Sequence, residues 1–104
     1  MAVIETMTFR LVAGADEAAF LAVDKRLQSD FAYQQPGLLR RTTARGLGDR
    51  AGEWVVVDLW GSAEHADAAA ARWDDDPTAR ELMSYVDATT VDVRRYADLE
   101  SMTG

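Results

Sequence analysis

The sequence has 104 residues, of which 48% are hydrophobic, enough to form the core of one domain. Its formal net charge of -7 argues against nucleic acid or an anionic membrane surface as a partner, and the absence of cysteine excludes disulfides, thiolate nucleophiles and cysteine metal sites. The first residues show no signal-peptide pattern and no stretch approaches a membrane span, so we expect a cytoplasmic protein.

The first third of the chain predicts a strand followed by a helix. Residues 3–12 alternate in side-chain character as a strand does, and Gly14 ends the run. Residues 16–34 carry apolar side chains at helical spacing, and Pro36 then breaks the helix.

The rest of the chain predicts a hairpin, two helices and a last strand. A glycine-rich loop separates the second and third predicted strands, which is typical of a hairpin. Glycine and proline residues separate the segments after the hairpin, and the first of these segments is rich in alanine. The predicted strands are 38–45, 54–60 and 89–97, and the predicted helices are 63–73 and 78–87.

The resulting order, β-α-β-β-α-(α)-β, is the split pattern of the α+β ferredoxin-like fold. In this β-α-β-β-α-β sandwich, helices cover one face of a four-stranded antiparallel sheet and leave the other face open. We assign residues 1–98 to this domain and residues 99–104 to a loose C-terminal tail.

Alternation along the third predicted strand puts aliphatic side chains on one face and a mixture of aliphatic, acidic and aromatic side chains on the other. We predict that Val56, Asp58 and Trp60 lie on the open face of the sheet, beside Ile4 and Arg10 of the first strand. Apolar surface left in water on that face would cost roughly 25 cal/mol per Å². The open face therefore predicts that a second sheet packs over it and encloses the polar side chains in a shared interior.

Four segments resemble the antibiotic biosynthesis monooxygenase-like (ABM) family of the dimeric α/β-barrel superfamily: ETMTFRLVAG, QQPGLLRRT, WVVVDLWGSAEHADAAAARW and VDVRRY. The resemblance spans nearly the whole chain, and its most characteristic part is the tryptophan and small residue that precede the alanine-rich helix. It implies a homodimer that pairs through the open sheet faces as a dimeric α/β barrel.

The resemblance further implies a cofactor-independent monooxygenase that oxidises a flat, electron-rich, hydrophobic aromatic small molecule such as a quinol or an anthrone. Two other functions stay open. One is a cyclase or isomerase without redox chemistry, and the other is a non-catalytic small-molecule-binding dimer. Dependence on oxygen separates the first function from the second, and freely replaceable site residues would indicate the third.

Three residues in and after the third predicted strand are the main candidates. The resemblance implies that Trp60 stacks on an aromatic ligand, and the alternative is packing at a dimer core. We expect His65, near a helix N-terminus that favours neutral imidazole, to act as a base, and the alternative is a half-exposed surface residue. Asp58 is either an acid/base group or one partner of a structural ion pair.

Three further side chains are assigned to substrate binding. Arg10 and Arg40 are expected to supply a positive charge to Asp58 from neighbouring strands. Tyr85 is a candidate hydroxyl donor toward a substrate oxygen, and the alternative is a core position with its hydroxyl at the rim.

We expect no cofactor and no metal. The three consecutive aspartates at residues 74–76 precede a proline and indicate a solvated helix end. The sequence contains no asparagine, whereas the haem-degrading and quinol-oxidising branches of the superfamily use one. This departure argues against haem degradation and also against the asparagine-dependent activation of oxygen that the quinol-oxidising branch uses.

Overall fold

The computed structural model describes residues 1–101 and contains every predicted strand and helix. The strands are Val3–Arg10 (β1), Leu38–Arg45 (β2), Glu53–Trp60 (β3) and Asp92–Ala97 (β4). The helices are Glu17–Asp30 (α1), Ala63–Trp73 (α2) and Pro77–Ser84 (α3). Residues 102–104 of the predicted tail lie outside the described residues. Within residues 1–101, no helix is both long enough and apolar enough to span a membrane.

Each helix begins at a polar side chain that caps its free backbone N–H groups. The Asp16 carboxylate accepts hydrogen bonds from two N–H groups of the first turn of α1. The Ser62 hydroxyl caps α2 by accepting from the N–H of His65. Asp76 caps α3, where Pro77 occupies a first-turn position that needs no N–H donor. These caps explain why the helices start where the sequence predicts them.

The four strands form one antiparallel sheet in the order β2-β3-β1-β4, and this confirms the predicted ferredoxin-like architecture. In this register Asp58 of β3 lies between Glu5 of β1 and Arg41 of β2, and Glu5 in turn pairs with Arg95 of β4. An irregularity between Leu38 and position 40 shifts the register of β2 by one residue.

The predicted orientation of β3 is wrong. Trp54, Val56 and Trp60 are 3%, 4% and 4% exposed, because they point toward the helices together with Asp58, while the other stripe of β3 lies on the open face. Both stripes of this strand are apolar enough to be buried, so alternation alone cannot show which one is covered. The bulky indoles fill the space under the helices, and the Trp54 and Phe20 ring centroids are 5.0 Å apart.

Candidate functional site

A cavity of about 310 Å³ lies between the sheet and α2. Alanines form most of its wall on the α2 side, and two of them, Ala66 and Ala69, are almost fully buried. Side chains this short do not reach the sheet, so a space is left above Trp60 and Asp58. The alanine-rich sequence of α2 therefore creates the cavity.

The remaining walls are mostly apolar. Phe31 and Trp73 meet edge to face with ring centroids 5.4 Å apart, and both line the cavity. Val93 lines it from the edge strand β4 and is 54% exposed, which places the mouth of the cavity at this edge. A volume of this size with apolar walls suits a small flat organic molecule.

Asp58 and Glu5 are the carboxylates that line this cavity, and the Oδ1 atom of Asp58 is buried without a hydrogen-bond partner among the described residues. The pKa of Asp58 is raised from 3.8 to about 6, first by burial, which disfavours the charged form. Arg41 lowers the pKa of Asp58, whereas the negative charges of Glu5 and Asp24 raise it. A carboxyl group with this pKa can exchange a proton near neutral pH.

Trp60 carries the second unpaired polar group in the cavity. Its indole Nε1 atom is buried and has no acceptor within the described part of the chain. An indole N–H can only donate, so a ligand oxygen is the natural partner for it. Buried polar groups are normally paired, so two unpaired ones at alternate positions of one strand make this cavity the candidate binding site.

Two groups of charged side chains flank Asp58 along the sheet. On one side, Arg41 donates a hydrogen bond of 2.7 Å from Nη2 to Asp24 of α1. Its Nε atom lies 3.9 Å from Asp58 Oδ1, too far for a hydrogen bond. On the other side, Arg95 donates to Glu5 over 2.8 Å and also pairs with Asp67 of α2.

The structure brings Asp58 and Trp60 together and places three other predicted residues elsewhere. Arg10 and Arg40 are exposed and lie on the open face, whereas Asp58 points toward the helices, so Arg41 supplies the expected positive charge instead. Arg10 lines a separate surface hollow at the opposite end of β1. Tyr85 follows α3 and packs against Phe20 at a centroid distance of 6.3 Å, outside the cavity wall.

His65 does not line the cavity. It is exposed in the first turn of α2, where its Nδ1 atom lies 3.0 Å from the Ser62 hydroxyl. The ring packs against Gly37, and a Cβ atom at that glycine would fall 2.3 Å from the His65 Cγ. The position of His65 is thus explained by local packing at the start of α2.

Sequence reasoning missed the charged partners Arg41, Asp24, Glu5 and Arg95. One signal for Asp24 was available, because it lies on the apolar stripe of α1 and is only 4% exposed. A carboxylate on a buried helix face needs a cationic partner. Within residues 1–101, no three histidine, cysteine or carboxylate side chains converge as metal ligands would.

No protein-family model and no curated protein sequence matches this chain. Its fold is similar to that of SnoaB, a cofactor-independent oxygenase from Streptomyces nogalater, with a TM-score of 0.76, 22% sequence identity and coverage of 99% of this chain and 98% of that chain. It is also similar to a candidate antibiotic biosynthesis monooxygenase from Bordetella bronchiseptica, with a TM-score of 0.76, 16% identity and coverage of 95% and 98%.

A dimeric ferredoxin-like protein from an uncultured marine organism is similar as well, with a TM-score of 0.76, 13% identity and coverage of 97% of this chain and 98% of that chain. The chain therefore has a ferredoxin-like fold. The likeness to antibiotic biosynthesis monooxygenase-like proteins, first suggested by the sequence, is confirmed at the level of the fold.

Proposed function

We propose that this protein is a cofactor-independent monooxygenase that oxidises a flat, electron-rich aromatic compound with an acidic hydroxyl or methylene group, such as a quinol or an anthrone. One observation carries this proposal: Asp58 and Trp60, whose Oδ1 and Nε1 atoms are buried and unpaired among the described residues, line the same largely apolar cavity. The similarity of the fold to SnoaB supports it.

Asp58 is the proposed base. With a pKa of about 6 it is mostly ionised at neutral pH and can accept a proton from a bound phenol or anthrone. Trp60 is the proposed donor to the oxygen that carries the resulting negative charge. The apolar walls keep water from that anion, which makes the bound anion a better electron donor.

The anion itself would reduce molecular oxygen. For an anthrone, one oxygen atom replaces the two hydrogens of the reacting methylene as a carbonyl group, and the other leaves with those hydrogens as water. The methylene carbon loses four electrons and the two oxygen atoms gain four. The substrate thus supplies all the electrons that the reaction needs.

Oxygen uptake with a panel of hydroquinones and anthrones tests this function. We expect the protein to accelerate uptake, and we expect Asp58→Asn and Trp60→Phe each to lower kcat/KM by at least about tenfold. Two matched controls should keep the wild-type rate: Asp49→Asn, an exposed aspartate in the hollow near Arg10, and Trp54→Phe, a buried tryptophan outside the cavity. Uptake equal to the protein-free background would contradict the proposal.

The raised pKa of Asp58 equally suits a cyclase or isomerase, because proton transfer next to a carbonyl group needs the same base. Conversion of substrate under argon would identify this second function, since a monooxygenase stops without oxygen. Ligand binding by the wild type without any conversion, and with the same affinity in Asp58→Asn, would indicate a binding dimer.

We also propose that two chains pair through their open sheet faces. Val55, Val57 and Leu59 of β3 are only partly covered on that face, and Tyr96 of β4 is 49% exposed. Pairing of two such faces would bury this apolar surface. Sedimentation velocity should show a dimer for the wild type and a monomer for Val57→Lys, and a monomeric wild type would contradict the pairing.

A further inference from the structure

A buried ion pair lies directly behind Asp58. The Arg41 and Asp24 side chains are 4% and 5% exposed, and they meet at 2.7 Å. Thr43 donates a 2.7 Å hydrogen bond to the other oxygen of Asp24, so both oxygens of this carboxylate are engaged. Burying two charges costs desolvation energy, so a buried ion pair is weak evidence for a contribution to stability, and another role for this pair has to be considered.

The pairing directs the Arg41 guanidinium away from Asp58. Its Nη2 atom donates to Asp24 and its Nη1 atom donates to Thr43 over 3.3 Å. Only the Nε atom approaches Asp58, at 3.9 Å, and this leaves Asp58 Oδ1 without a hydrogen bond. A guanidinium released from Asp24 could donate directly to Asp58, because β2 and β3 place the two residues opposite each other.

We infer that Asp24 is a positioning residue: it holds Arg41 on the side away from Asp58 and so keeps the Asp58 carboxylate free to accept a proton from the ligand. This inference rests on the proposed role of Asp58 as a base. The other charges around Asp58 fit the same arrangement. Glu5 of β1 is the other residue that lies directly opposite Asp58 in the sheet. Arg95 of β4 in turn forms ion pairs with Glu5 and with Asp67 of α2.

The test is a pH titration of the Asp58 carboxyl carbon by NMR in the full-length protein without substrate. The wild type should show a midpoint of about 6. In Asp24→Asn the midpoint should fall by about one pH unit for two reasons: the negative charge that raises the pKa of Asp58 is lost, and Arg41 is free to pair with the ionised Asp58 carboxylate. The double variant Asp24→Asn/Arg41→Gln is the matched control: it loses the same aspartate charge but has no guanidinium at position 41 to pair with Asp58, so the fall caused by Asp24→Asn should be clearly smaller in this background. An equal fall in both backgrounds would contradict the inference.

The variant Arg41→Gln distinguishes this explanation from one in which the substitutions only loosen the structure around Asp58. Removal of the cation should raise the midpoint of Asp58, whereas entry of water into a loosened site would lower it in both variants. An unchanged midpoint in Asp24→Asn, or a lowered midpoint in Arg41→Gln, would overturn the inference. If Asp24→Asn does not fold, Thr43→Val decides: it removes hydrogen bonds that fix Asp24 and Arg41 but keeps both charges, so it should also lower the midpoint, and an unchanged midpoint would overturn the inference.

The titration is independent of the oxygen-uptake assay. Shifts in the expected directions together with no uptake would retain the inference about Asp24 and reject the monooxygenase. With an active enzyme, the acid limb of the kcat/KM profile of Asp24→Asn should shift to lower pH by the same amount as the midpoint. A purely structural role for Asp24 would lower the rate at every pH without moving that limb.

Discussion

The two ends of the layer between sheet and helices are built differently. At the end under α1 and α3, Phe9, Phe20, Leu27 and Leu82 are each at most 1% exposed and fill the space completely. At the end under α2, alanines face Trp60 and leave a cavity. The two unpaired buried polar atoms found in the described residues both lie in the second region. One sheet thus supports a packed half, which stabilises the fold, and a hollow half, which can bind a ligand.

The largest effect is expected from truncation in the packed half. Phe20→Ala should lower the free energy of unfolding by about 4 kcal/mol, because the lost ring leaves a cavity among well-packed neighbours. Urea denaturation followed by circular dichroism measures this change. Leu21→Ala on the same helix is the control, since Leu21 is 43% exposed and its loss should cost far less. Equal costs for the two variants would contradict the distinction between packed and exposed positions on α1.

The second largest effect is expected at Asp58 in the hollow half, whose ionisation lowers the stability of the wild type. The folded-state pKa of Asp58, about 6, exceeds its ordinary value of 3.8, so between these pH values the native state retains a proton that the unfolded state has released. Stability therefore falls as pH rises through this window. Above pH 6 the free energy of unfolding stays lower than it is below pH 3.8, by up to about 3 kcal/mol.

Asp58→Asn removes that ionisation, so at pH 7 its free energy of unfolding should exceed that of the wild type by up to about 3 kcal/mol. At pH 4 the two proteins should be nearly equal, because Asp58 is protonated there. Urea denaturation at both pH values measures the difference. The exposed Asp49→Asn should show no such pH-dependent gain, and a variant less stable than the wild type at pH 7 would refute the buried-base assignment.

Much of the fold could be predicted from the sequence, but which face of β3 points toward the helices could not. Helical spacing and the capping residues located every element within a few residues, because these signals are local. The orientation of β3 depends on partners far away in the chain, and both of its stripes are apolar. The prediction that Asp58 and Trp60 share one side of β3 is confirmed, whereas the side chosen for them was wrong.

The cationic partner of Asp58 was missed for a related reason. Simple alternation from Leu38 places Arg40 on the same face as Leu38. The irregularity after Leu38 shifts the strand by one residue, so Arg41 lies opposite Asp58 and Arg40 lies opposite Leu59. A bulge of this kind has no local sequence signal here. The network around Asp58 therefore became visible only with the strand register.

A pair of identical substitutions distinguishes the two halves directly. Ala79→Leu on α3 enlarges a side chain that is 0% exposed in the packed half, and should lower the free energy of unfolding by about 2 kcal/mol through overpacking. Ala69→Leu on α2 projects into the cavity, where there is room, and should change stability by less than about 1 kcal/mol.

Ligand binding should respond in the opposite way to these two changes. Ala69→Leu fills the cavity and should weaken binding of an aromatic ligand at least about tenfold, whereas the folded fraction of Ala79→Leu should bind normally. Isothermal titration calorimetry with a hydroquinone or an anthrone measures both affinities. Normal binding by Ala69→Leu would show that the ligand site lies outside the cavity.

The smallest effect is expected at the mouth of the cavity. Arg95 joins β4 to α2 through Asp67 and to β1 through Glu5, but its side chain is 34% exposed, so water and salt weaken both pairs. Arg95→Gln should therefore lower the free energy of unfolding by less than about 1 kcal/mol, and by less still in 1 M salt. Denaturation at low and high salt measures both values. A loss several times larger that does not depend on salt would mean that these ion pairs hold α2 against the sheet, and that the hollow half depends on charge for its stability.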